Sequence, residues 1–120
     1  MIHNREKAWH GEQVRKWLER RFEASRLDQA AADRRGYDAQ DDYDKAAAEE
    51  WVCRTLISSD ATREQAAFAA HIKTLAALEE FPTTGIYDDA RFHRHVRGHL
   101  RNLAKMTKLN EGFAKTLRYQ

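Results

Sequence analysis

With 120 residues, 42% hydrophobic and 33% charged, the chain has material for a single globular domain with a genuine core, and is too apolar for a disordered one. No uncharged run approaches the roughly 20 apolar residues of a bilayer span, and Met1-Ile2-His3-Asn4-Arg5-Glu6-Lys7 lacks the apolar stretch of a secretory signal. The net charge of +2 conceals a strong asymmetry: residues 1–27 carry +3, residues 28–90 carry −8 and residues 91–120 carry +7.

The expected fold is all-α, a single bundle of four to five helices without β-sheet. Alanine, leucine, glutamate, arginine and lysine dominate, Pro82 is the only proline, and no alternating strand pattern of useful length occurs. The first helix should begin between Asn4 and Trp9 and bury Val14, Trp17, Leu18 and Phe22. Ser25 with Asp28 forms a capping-box spacing, so residues 4–35 read as one helix or two. Arg34-Arg35-Gly36 is a good C-terminal stop.

The second helix should start among Asp38, Asp41 and Asp42, where carboxylates favour the first turn, and stop at Ser58-Ser59-Asp60. A third, roughly 61–80, carries Phe68, Ile72, Leu75 and Leu78 on one side and alanine on the others. Such a helix can touch neighbours on several sides, which predicts a central position. Phe81-Pro82-Thr83-Thr84-Gly85 ends it. Asp88 or Asp89 should cap a fourth helix, with Asn110-Glu111-Gly112 as its break and Phe113, Leu117 and Tyr119 beyond.

That fourth helix carries the main functional signal. At about 100° per residue, Arg94, Arg97, Arg101, Lys105 and Lys108 fall within roughly an 80° sector, opposite Phe92, Val96, Leu100 and Leu103. The row spans about 21 Å. It could follow a phosphate backbone with salt-sensitive, largely sequence-neutral affinity, and arginine at three of its positions favours bidentate phosphate contact. A nucleic acid or a nucleoprotein complex is therefore the expected partner. An acidic protein surface is a second option, and a face that is merely solvated or internally paired a third.

A different reading uses the acidic middle. Asp38, Asp41, Asp42, Asp44 and Glu49 would form a surface against a host nucleoprotein complex. Neither register of these aspartates supplies the glycine that an EF-hand loop needs at its sixth position, which argues against calcium. His95 and His99 have an i, i+4 spacing, but lack the intervening glutamate of an HExxH site, so no metal or other cofactor is expected. Trp9 lies off the Val14 stripe and reads as the tryptophan best placed for an interface. Cys53 sits in an apolar run and reads as packing; as the only cysteine it forms no internal disulfide and fits a reducing, cytoplasmic setting.

Arg94-His95-Val96-Arg97-Gly98-His99 has an Arg–polar–x–x–x–His spacing and resembles the motif of HEPN domains, small all-α proteins that often act as ribonucleases after dimerising. The resemblance implies a homodimer in which His99 is the acid/base, Arg94 clamps the scissile phosphate and His95 supports the site. Gly98 and the surrounding cations depart from that pattern. Catalysis is the subordinate expectation. The favoured one is a non-enzymatic binding or regulatory protein, of the small, densely charged kind that phages and mobile elements encode, including inhibitors of host nucleoprotein machines.

Overall fold

The computed structural model describes residues 9–81 and 89–109, with the side chains of residues 89, 108 and 109 left out. The described residues form four α-helices and two short 3-10 turns, with no strand: α1 (Gly11–Arg35), α2 (Gln40–Ser58), α3 (Gln65–Ala76) and α4 (Asp89–Leu109). The all-α expectation is met. The expectations for Asn4, Asp88, Pro82-Thr83-Thr84-Gly85, the break at Asn110-Glu111-Gly112 and the segment beyond it lie outside the described residues.

α1 is one helix. Ser25, fully buried, turns its hydroxyl back onto the carbonyl of Phe22 at 2.7 Å, so it is satisfied inside the helix and starts no new one. Val14 and Leu18 supply the buried face, with Trp17 and Phe22 packed against the core. The stop falls where Arg34-Arg35-Gly36 places it. Gly36 takes a φ of 82°, open to glycine at little cost, and its N–H reaches the carbonyls of Ala32 and Asp33.

The central helix is α2, not α3. α2 packs along both α1 and α4, whereas α3 packs chiefly on α4 and barely meets α2. Ala46, Ala47, Ala48, Val52, Cys53 and Leu56 are its buried apolar residues. α3 is shorter than the 61–80 expected. It buries Phe68, Ile72 and Leu75 and leaves Ala66, Ala67, Ala69, Ala70, Ala76 and Ala77 exposed. The reason is energetic. A methyl group gains little from burial, so alanine permits a contact without compelling one, and the large side chains chose a single face.

Trp9 is half-buried and tied into the fold. Its Nε1 donates to the Thr62 carbonyl at 2.7 Å and its ring lies 5.6 Å from that of Phe68. The start of α1 is thereby pinned to the turn before α3. Gly11 completes this junction, because a Cβ there would stand 2.2 Å from the Thr62 oxygen.

Candidate nucleic-acid interface

α4 continues unbroken through Gly98. Phe92, Val96, Leu100 and Leu103 are all buried, so the apolar side of the helix is set as its periodicity requires. The basic and titratable side chains around the rest of its circumference divide into two groups.

The first group faces α2. Arg91 Nε donates to the fully buried carboxylate of Asp44 at 2.6 Å, whose other oxygen accepts from Gln40 at 3.0 Å. One turn on, His95 Nε2 donates to Asp41 at 2.8 Å, and this hydrogen bond holds the Asp41 carboxyl below its usual range. A further turn on, His99 Nε2 donates to the Lys45 carbonyl at 3.1 Å. Burial pushes the His99 imidazole below its ordinary value, against the opposing pull of that carbonyl and of Glu49. The result is a zipper: residues 91, 95 and 99 of α4 against residues 44, 41 and 45 of α2.

The second group faces away from α2. Arg94, Arg101 and Lys105 are exposed, and no carboxylate lies within ion-pair distance of any of them among the described residues. Arg94 acts on Asp41 only through its field. Arg97 is half-buried: its guanidinium lies 5.2 Å over the Phe81 ring and donates to the Glu79 carbonyl at 3.3 Å. Its remaining donors and its charge have no carboxylate partner among the described residues. The side chain of Lys108 lies outside them. From Arg94 to Lys105 the row runs about 16 Å along the axis.

The proposed acidic surface is dispersed. Asp44 is wholly buried and cannot face a partner, which corrects its place in that set. Glu49 holds Arg21 through two hydrogen bonds of 2.8 and 3.1 Å, and raises the Arg21 pKa further. Asp42 pairs with Arg35 at 3.1 Å. Asp41, although exposed, is engaged by His95, and Asp38 alone of the five is exposed without an ion pair among the described residues. Four of these five carboxylates are thus engaged by α1 or α4. Sequence reasoning left this outcome open and overlooked Arg91 entirely.

The HEPN-like trio is divided by the same geometry. The His95 and His99 rings are each committed to α2, while Arg94 is turned to solvent. Among the described residues no group of three or more histidine, cysteine or carboxylate side chains converges as metal ligands would. Cys53 is buried and its thiol is pushed up to about 12 by desolvation, a packing group rather than a nucleophile. No described helix is long and apolar enough to cross a membrane. Comparison of the chain with protein-family models, with characterised proteins and with solved structures gave no match.

Proposed function

We propose that this is a non-enzymatic binding protein that presents the row Arg94, Arg97, Arg101 and Lys105, continued in sequence by Lys108, to the phosphate backbone of a nucleic acid, free or within a nucleoprotein complex. One observation carries the proposal. On a helix whose other cation-bearing edge is paired within the chain, this row has no carboxylate partner among the described residues. Charges left in water on a rigid helix keep their full field for a partner and need little reordering to meet it.

Phosphate suits the row better than an isolated acidic side chain does. Duplex DNA carries one charge per roughly 1.7 Å of axis, so each cation along a 16 Å row can find a phosphate. Fluorescence anisotropy with a fluorescein-labelled duplex and with single-stranded RNA tests the proposal. Replacing Arg94, Arg101 and Lys105 together by glutamate should weaken binding by at least about a hundredfold, or about 3 kcal/mol. Equal binding by the wild type and this variant would refute it.

A further inference from the structure

Beside the cationic row lies a second feature. Gln65 at the start of α3 donates to the carbonyl of Thr107 near the end of α4, and Arg97 in the first half of α4 lies over Phe81 beyond the end of α3. The two helices therefore run antiparallel, and a groove of about 950 Å³ runs between them. Its floor is aliphatic and mostly small: Ala66, Ala69, Ile72, Ala76, Leu100 and Ala104. Lys73, Arg97 and Arg101 stand along it, none with a carboxylate partner among the described residues.

We propose that this groove docks an amphipathic helix of a partner protein, its apolar stripe bordered by carboxylates. Alanine floors let the backbone of an incoming helix approach closely, as ridges packing into a groove require. The stretch from Arg97 to Thr107 is about 15 Å long, enough for a helix of roughly three turns to set anchors at i, i+3 or i+4, and i+7. Charge selects the occupant. Three cations beside an apolar floor repel a basic helix and attract one edged with glutamate or aspartate. A nucleic acid would satisfy the cations but leave the floor uncovered, for among the described residues this floor offers no aromatic ring on which a base could stack.

The inference goes beyond the proposed function and stands separately from it, since the groove uses Lys73 and the α3 alanines, which the row does not. Arg97 and Arg101 belong to both, so helix and nucleic acid compete.

The probe is a fluorescein-labelled synthetic peptide of about 16 residues, with a leucine stripe at helical spacing and glutamate on its borders. A second peptide carries lysine in place of every glutamate. The full chain should bind the acidic peptide at least about tenfold more tightly than the basic one. Ala69→Trp with Ala104→Trp, both at exposed positions, should fill the groove and cost the acidic peptide at least about tenfold while leaving duplex binding unchanged. Loss of duplex binding in the Arg94, Arg101 and Lys105 variant speaks only to the proposed function, and loss of peptide binding in the tryptophan pair speaks only to the groove. Equal binding of the two peptides would overturn the inference, as would unaltered peptide binding by the tryptophan pair. A dimer that those tryptophans dissociate, or peptide binding gained only on deleting residues 110–120, would overturn it too, by assigning the groove to a second copy or to the chain's own end.

Discussion

The two polar edges of α4 differ in composition and in fate: Arg91, His95 and His99 face α2, and Arg94, Arg97, Arg101 and Lys105 face away from it. On one, Arg91 is ion-paired with the buried Asp44 and His95 hydrogen-bonds to Asp41, so its polar groups are consumed in joining two helices. On the other, Arg94, Arg101 and Lys105 stand in water with no carboxylate partner among the described residues, and charge contributes little to the fold. Counting lysine and arginine along a helix therefore says how much charge it has, but not how much is free. Register decides that. A carboxylate buried at the facing position turns a surface cation into a structural one.

The sharpest way to break the distinction is to remove one structural cation. Arg91→Met should leave the buried Asp44 carboxylate with Gln40 as its one remaining partner among the described residues, and cost about 3–5 kcal/mol in urea unfolding. A cost under about 1 kcal/mol would mean that the α2–α4 zipper is ornamental. By contrast, glutamate at positions 94, 101 and 105 together should change stability by no more than about 1 kcal/mol while abolishing duplex binding, because exposed unpaired cations contribute little to folding. Large destabilisation of that variant would merge the two edges into one.

Smaller effects sharpen the picture. Gly11→Ala should destabilise by about 1–3 kcal/mol, read as a lowered thermal midpoint, since its Cβ would meet the backbone oxygen of Thr62 and disturb the Trp9 junction far from either edge. His99 has a folded pKa lowered from the usual 6.5, mainly by burial. Its unfolded form then binds protons more readily than its folded form, so its contribution is fully present above about pH 6.5 and is lost as pH falls through the folded value. Urea midpoints should therefore drop between pH 7.5 and pH 5.5 more steeply in the wild type than in His99→Gln, which retains a donor for the Lys45 carbonyl. Parallel pH profiles would remove His99 from the paired edge. The smallest effect is Gly98→Ala. Among the described residues no atom beyond the local helix backbone lies within 4 Å of the added Cβ, so the helix should gain about 0.5–1 kcal/mol with duplex binding unimpaired.

The all-α fold and the two-sidedness of α4 were legible in the chain, because Phe92, Val96, Leu100 and Leu103 repeat at helical spacing and Arg94, Arg97, Arg101 and Lys105 lie opposite. The continuity of α1 was not, because a serine three residues before an aspartate fits both a new N-terminus and a mid-helix bond to Phe22. The edge position of α3 was hidden by its alanines, which are compatible with contact on every side and specify none. The junction at Trp9 was not legible because its partners, Thr62 and Phe68, are distant in sequence. The zipper left a faint trace: carboxylates at 41 and 44 and cationic or titratable groups at 91, 95 and 99 are each one turn apart. Only the tertiary register shows that those two ladders face one another and that 94, 101 and 105 face no carboxylate among the described residues.

The central claim, that one edge of α4 is left free for a polyanion, is tested most directly by the salt dependence of duplex binding. Four to five phosphate contacts give a slope of log K against log salt of about −3 to −5, and the glutamate variant at 94, 101 and 105 should flatten it toward zero. Wild-type protein that fails to bind at the lowest salt, or a variant that keeps the wild-type slope, would contradict it.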